Sequence, residues 1–403
     1  MNNFNNSDKT SLVNFHRYLA QSSTFEPFII DVDKAEGVYV WDRQGEKYFD
    51  FISSICVNNV GHRNPAVLRA INEQMEKYLH VMVYGEFIQQ PQIDYAQKLC
   101  SLLPPQLQKI FFVNSGSEAI EGAIKLARLY NRRGEIISFR GSYHGSTMGA
   151  VSALGNMEIR NRFNPLLPST VLYDYGMFEC IDKITEKTCC VIIEPIQAGT
   201  GMTVPPEGFL SALREKCTSV GALLIYDEIQ TGFGRTGKLF AFEHSGVDPD
   251  ILCIAKGMGG GMPLGGFVAS EKLMSLLDVP HPLMGHASTF GGHPLSCVAA
   301  LAALNIIVDL LPALAEKEAR IRSALKDIPQ VKEVQGKGLF LGAQMSYTET
   351  EMNALINRLM QNGFISFYPL FNHTAICLTP PLTVTLDEID EAMLRFRTAQ
   401  TIV

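Results

Sequence analysis

Residues 222 to 266 constrain the chain most. Two short apolar runs, Leu223 to Tyr226 and Ile251 to Ala255, read as buried parallel strands. The first runs into Asp227 and the second into Lys256. Open α/β sheets keep their ligands at the carboxyl ends of their strands. The 29 residues from the acid to the amine suffice for one right-handed crossover between neighbouring strands. Gly257, Gly259, Gly260 and Gly261 follow the lysine at once, so the backbone around its amine is left room.

One chemistry needs both groups. Pyridoxal phosphate requires a lysine to hold its aldehyde and a carboxylate to keep its ring nitrogen protonated, so that the ring can draw electrons from a substrate bond. The plain alternative is an Asp capping a turn and a Lys snorkelling to the surface. The rest of the chain decides between them.

A chain of 403 residues outgrows a single core. The expected division is an arm and hairpin over 1–60 that join the smaller domain, a large α/β domain over 61–294, and a small α+β domain over 295–403. Charged residues are only 19% against 46% hydrophobic, the balance of a well-packed globule. A net charge of −7 without a basic tract argues against nucleic acid and anionic membrane as partners. The start, MNNFNNSDKT, has no apolar signal core. The most apolar helical stretch, Cys297 to Val308, is interrupted by Asn305 and reads as too short to span a bilayer. Nine Cys, an odd number without a C-x-x-C, suggest reduced thiols in the cytoplasm and no zinc.

Along the chain, a helix is expected near Ser11 to Gln21, then a hairpin over Gly37 to Phe51 turning at Arg43-Gln44-Gly45. Asn64 to Leu79 reads as a helix with Pro65 in its first turn. Ile110 to Val113 is a strand that enters Asn114-Ser115-Gly116-Ser117-Glu118, where Ser115 and Glu118 fit a capping box. The helix that follows, to about Tyr130, is striped with Ile120, Ala123, Ile124 and Ala127. Its N-terminus over Ser115 to Ser117 is a candidate phosphate seat, or an ordinary capped start. Ile136 to Phe139 ends before Tyr143-His144-Gly145, where an aromatic could stack on a flat ring or simply be core. Cys189 to Ile193 delivers Glu194, an acid that could orient a neighbour, face a substrate or cap a loop. The spacing from about 110 to 270 implies alternating strands and helices. After Pro294 the pattern turns helical: Leu295 to Leu310, Leu314 to Ala324, Glu351 to Asn362 and Leu386 to Ala399, with strands at Gly338 to Gln344 and Ala375 to Leu378.

Gly232-Phe-Gly234-Arg-Thr-Gly237 matches a dinucleotide fingerprint, but its context does not. The glycines do not follow the strand directly, little room remains for a helix before Ile251, and the second strand ends in Lys256 instead of a ribose-binding acid.

Taken together, Asn114-Ser-Gly-Ser-Glu-Ala119, Tyr143-His-Gly145, Glu194-Pro-Ile-Gln197, Asp227-Glu-Ile-Gln-Thr-Gly-Phe-Gly-Arg-Thr-Gly237, Lys256-Gly and Ser288-Thr-Phe-Gly-Gly292 closely resemble the class III aminotransferases, nearest to the ornithine and acetylornithine group. The resemblance runs from Gly37-Val-Tyr-Val-Trp-Asp42 to Thr379-Pro-Pro-Leu382. It implies an α/β fold of type I (aspartate aminotransferase-like), with a large mostly parallel sheet and a smaller α+β domain. It also implies pyridoxal phosphate, an amino donor, a 2-oxo acid acceptor and a homodimer with shared sites. Position by position, Lys256 would hold the cofactor aldehyde and act as the proton-transfer base. Asp227 would pair with the pyridine nitrogen, and Gln230 would contact the phenolic oxygen. Ser115, Gly116 and Ser117 would seat the phosphate. Tyr143 would stack on the ring with His144 beside it, and Glu194 would lie toward the substrate. Thr289 would reach the phosphate held by the other subunit.

The chain also departs from the ornithine-type pattern. That pattern carries Arg where Ser146 stands, Glu where Gly199 stands and Arg where Cys377 stands. In the family the two arginines hold substrate carboxylates and the Glu screens one of them. Three charges are missing together. This points to an ω-amine or diamine donor with a less polar body, or to a replacement cation among Arg63, Arg140, Arg160 and Arg162. An aminomutase or decarboxylase using the same cofactor is the alternative reaction class, and a cofactor-binding relic without catalysis is the non-enzymatic one.

Overall fold

The computed structural model describes residues 6–20, 30–278 and 285–401. At its centre lies a seven-stranded sheet. The order across it is Lys109–Val113, Gly265–Ala269, Ile251–Ile254, Leu223–Asp227, Thr188–Ile193, Glu135–Phe139 and Thr170–Tyr173. Gly265–Ala269 runs antiparallel to both neighbours, and the remaining pairs are parallel. Four adjacent strands, from Gly265–Ala269 to Thr188–Ile193, are buried along their whole length. Helices cover both faces, so these strands read as unbroken apolar runs without alternation.

The strands bearing the acid and the amine are parallel neighbours, with Asp227 opposite Cys253. The second strand stops at Ile254, one residue short of the expected end. Lys256 then opens a short 3-10 turn at φ +47. The antiparallel strand was not apparent from the sequence, because Gly265-Gly266 reads as loop. The glycine has a spatial reason: a Cβ at Gly265 would lie 2.5 Å from the Ser115 carbonyl. Its absence lets the Ser115 turn settle against the sheet.

Helix Gly116–Asn131 buries the expected stripe of Ile120, Ala123, Ile124 and Ala127. Only half of the expected capping box forms. Ser115 Oγ accepts from the Glu118 N–H at 3.3 Å, while Glu118 accepts from the Asn114 N–H at 2.6 Å rather than from the cap residue itself. Helix Pro65–Met75 is shorter than expected and is capped by Asn64, whose side chain accepts from the Ala66 N–H.

Two smaller sheets flank the large one. Val32–Glu36, Tyr39–Asp42 and Lys47–Asp50 form an antiparallel set, and Phe364–Ile365 adds a parallel strand from far along the chain. The hairpin is as expected. Val32–Glu36 extends it into what read as an arm, and the N-terminal helix is Asn6–Tyr18 rather than Ser11 to Gln21. The second set is Val331–Lys337, Phe340–Met345 and Ala375–Leu378. Its first strand, VKEVQGK, escaped the sequence reading because its charged residues are exposed.

The apolar helix Pro294–Leu310 continues through Leu311–Ala313 into Leu314–Lys326. That makes 33 residues, long and apolar enough by length and composition to cross a membrane, which corrects the expectation of a stretch too short to do so. Its apolar residues are used inside the protein: the first part packs on helices Pro65–Met75 and Gln90–Ser101, with Cys297, Ala300, Leu304 and Ile307 in the core.

One local feature shapes the edge of the site. Ser53, Ser54, Ile55 and Cys56 are four successive non-glycine residues at φ +42, +53, +60 and +63, a left-handed turn. It is held from outside. Ser53 Oγ donates to the Thr379 carbonyl at 2.7 Å and accepts from Arg235 Nη2 at 3.0 Å. Arg235, the arginine of the glycine-rich 232–237 segment, is fully buried and also donates to the carbonyls of Leu339 and Pro380. That segment therefore braces the turn, and no nucleotide-binding helix follows it.

Candidate active site

A cleft of about 410 Å³ opens at the carboxyl ends of the central strands. It is lined by Ser115, Gly116, Ser117, Tyr143, His144, Glu194, Asp227, Gln230 and Lys256. Nine of the ten residues singled out in the sequence thus converge from five separate strand ends and turns. The tenth, Thr289, lies outside this lining. Its hydroxyl shares a hydrogen bond with the Tyr84 hydroxyl at 2.9 Å.

Asp227 is buried, and each carboxylate oxygen is engaged. Oδ1 accepts from the Ile229 N–H at 3.0 Å and Oδ2 from His144 Nδ1 at 2.7 Å. Burial opposes charge on the His144 ring, but the hydrogen bond and the charge of Asp227, followed by Glu194, hold its pKa above the ordinary value. Glu194 accepts from the N–H groups of Tyr143 and Ala198. Burial pushes its carboxyl up to about 7, with His144 pulling down, Asp227 pushing up, and the two N–H bonds pulling down. Lys256 Nζ donates to Gln230 Oε1 at 3.3 Å, and Gln230 Nε2 contacts Cys56 Sγ at 3.8 Å.

These residues fit pyridoxal phosphate. Helix Gly116–Asn131 presents its first turn to the cleft, with free N–H groups and the positive end of its dipole for a phosphate. Ser117 Oγ accepts from the Ser146 N–H at 3.1 Å. Gly145, at φ +126, makes this closeness possible, since a Cβ there would fall 2.2 Å from Ser117 Oγ. Tyr143 is 40% exposed, leaving its ring available to a flat partner, and its hydroxyl shares a hydrogen bond with Ser146 Oγ.

Sequence reasoning missed Val57, Ile229, Thr231 and the 262–264 segment of the lining. Ile229 had a signal, since it stands two residues after Asp227. The other apolar members carry none. None of the four candidate replacement arginines lines the cleft. Arg63 and Arg162 are exposed, Arg140 pairs with Asp174 at 3.0 Å, and Arg160 donates to the Thr170 carbonyl.

Comparison with known proteins identifies the family. The family model described as aminotransferase class-III matches residues 20–399. The chain is similar to the acetylornithine aminotransferase of Methanopyrus kandleri, at 40% identity over 92% of this chain and 94% of that one. Among solved structures it resembles an ornithine aminotransferase from Toxoplasma gondii, described with partial occupancy of PLP at its active site, with TM-score 0.90 and 28% identity over 97% of this chain and 93% of that one. It also resembles an (S)-enantioselective omega-transaminase from Thermomicrobium roseum, with TM-score 0.88 and 29% identity over 100% of this chain and 99% of that one. These relatives are transaminases, which favours amino-group transfer over the mutase and decarboxylase alternatives.

Proposed function

Since the chain belongs to the class III aminotransferases and is therefore a pyridoxal-phosphate-dependent enzyme acting on an amino donor and a 2-oxo acid, we propose that it transfers a terminal (ω) amino group in the cytoplasm as a homodimer with shared sites. The convergence of Lys256, Asp227 and the Ser115–Ser117 helix start in one cleft carries this reading. Bound there, the cofactor supplies an electron sink for the bond broken at the amine-bearing carbon. Lys256 Nζ would hold the cofactor's aldehyde and would serve as the base for the proton on the amine-bearing carbon. Asp227, fixed by His144 and by the Ile229 N–H, would keep the ring nitrogen protonated. Gln230 holds Lys256 and would contact the phenolic oxygen, Ser115 to Ser117 would seat the phosphate, and Tyr143 would stack on the ring. Glu194 shapes the substrate side through its hold on the Tyr143 and Ala198 N–H groups.

Support for the dimer comes from Thr289 and its hydrogen-bond partner Tyr84, whose chain neighbourhoods expose large apolar side chains. Leu79, Phe87 and Ile88 are exposed, as is Phe290 next to Thr289 itself. Nine free cysteines support the cytoplasm. We take 61–294 as the large domain, with 1–60 and 295–403 forming the small one, supported by the pairing of Phe364–Ile365 with Lys47–Asp50.

Mixed dimers test the whole reading. Lys256→Ala and Thr289→Ala should each impair turnover. Refolded together, they should regain about a quarter of normal activity, because one site in each mixed dimer then holds both native residues. No recovery, or an active monomer in light scattering, would refute the shared site.

A further inference from the structure

We infer that Ser146 is a positioning residue for the cofactor: its hydroxyl holds the Tyr143 ring in the pose that stacking needs. The inference rests on the cofactor reading above and adds a residue to it.

The run from Tyr143 to Ser146 is tied, residue by residue, to groups of the cleft. The Tyr143 N–H donates to Glu194 Oε1 at 3.1 Å. His144 Nδ1 bonds Asp227 Oδ2 at 2.7 Å. Gly145, at φ +126, leaves open the space that a Cβ would take from Ser117 Oγ. The Ser146 N–H donates to that same Oγ at 3.1 Å. The backbone is thus anchored at both ends of the run, to the ring-nitrogen partner on one side and to the phosphate seat on the other.

Backbone anchors do not set side-chain torsions. Tyr143 is exposed, and an exposed aromatic side chain keeps rotamer freedom that stacking has to remove. Ser146 removes it in advance. Its Oγ lies 2.9 Å from the Tyr143 hydroxyl, three residues back along the chain. A bond at the far end of the ring restrains both torsions at once, so the ordering is done before the cofactor arrives. Ser146 can act as a fixed point because its own N–H is held by Ser117.

The residue type matters. A serine hydroxyl both donates and accepts, so it can pair with a phenol whichever oxygen supplies the hydrogen. The arginine of the ornithine-type pattern would carry its donors several bonds past a hydroxyl this close to the backbone. The departure at 146 thus turns a position that faces substrate in that pattern to the service of the cofactor.

The test titrates the full-length, cofactor-free protein with pyridoxal phosphate. Absorbance gives Kd, and circular dichroism of the bound cofactor reports how firmly its surroundings are fixed. Ser146→Ala should weaken Kd by about three- to tenfold, the worth of one hydrogen bond, and should lower the dichroic amplitude. Tyr143→Phe keeps the ring and should do the same. The double variant should bind no more weakly than either single one, because both remove one interaction. Ser146→Thr keeps the hydroxyl and should restore binding. The Tm of the cofactor-free Ser146→Ala protein should equal that of wild type, and its ratio of kcat/KM between butylamine and ornithine should be unchanged. Wild-type Kd and dichroism in Ser146→Ala, additive losses in the double variant, or no rescue by Ser146→Thr would overturn the inference. So would a lowered Tm, which would make Ser146 merely structural, or a changed amine ratio, which would return it to the substrate. If wild type takes up no pyridoxal phosphate, the cofactor reading of the cleft falls, and this inference with it.

Discussion

The cofactor wall of the cleft and the rim beside it are built on opposite plans. The cofactor wall is polar, and each of its groups stands at a strand end or a helix start: Ser115 to Ser117, Asp227, Lys256. The rim beside it is apolar: Cys56 packs with Ile196, Met202 and Phe340, and Ala198 and Cys377 pack against them, from distant stretches of chain. The first wall presents reactive groups, and its precision comes from the sheet. The second presents shape, and its precision comes from packing and from a braced, left-handed turn. Chemistry is thus carried by groups that the sheet places, beside a rim that side-chain packing holds.

The comparison can be broken most forcefully at Asp227. Asp227→Asn should leave the cofactor bound but slow single-turnover proton removal by on the order of 10²- to 10³-fold, with the preference among amines unchanged. A shifted preference would mean that the wall and the rim are not independent. Stopped-flow absorbance for each amine decides this.

Next in size is the brace of the left-handed turn. Arg235→Met removes the partner of the Ser53 and Asn59 side chains and of two buried carbonyls. Leaving such acceptors unpaired should cost about 3 kcal/mol of stability. KM for the amine should rise more than kcat falls, since the cofactor wall is untouched. A denaturant titration and steady-state kinetics measure both, and an equal loss in kcat and kcat/KM would erase the distinction.

The smallest effect concerns pH. Burial raises the carboxyls of Glu194, lying against the cofactor, and Glu228, deeper in the core, from 4.5 to about 7. A carboxyl raised by folding holds its proton more tightly in the folded than in the unfolded chain. The cofactor-free protein should therefore lose stability as pH rises from about 4.5 to about 7. Glu194→Gln should flatten that slope without abolishing it, because Glu228 remains. Stability that rises across this window would mean both acids are ionised in the folded state.

The cofactor wall was legible in the sequence because its residues follow apolar runs or open a helix, and those local signals survive in one dimension. The apolar rim was not. Cys377 and Gly199 stood out as departures from a pattern, but nothing near Phe371 in sequence says that its ring lies on Gly199. The left-handed turn was equally hidden, since Ser-Ser-Ile-Cys contains no glycine to announce it. Gly265–Ala269 was lost for the converse reason: its glycines announce a loop, yet they serve a close approach inside a sheet. The replacement arginines failed because side-chain reach cannot be judged before the fold places Arg140 against Asp174.

That turn has a consequence for how variants of this protein should be judged. Glycine ordinarily weakens a folded chain, because the unfolded chain gains more freedom than the folded one. At Ser54 and Ile55 the balance shifts. Each already occupies the region where a Cβ costs about 1–2 kcal/mol, and the Ile55 side chain is 56% exposed, so little packing would be forfeited. A substitution scan would thus find a tolerant pair of positions directly beside Cys56. The turn is accordingly a place where sequence can drift without loss of fold, one residue away from Val57 on the cleft lining.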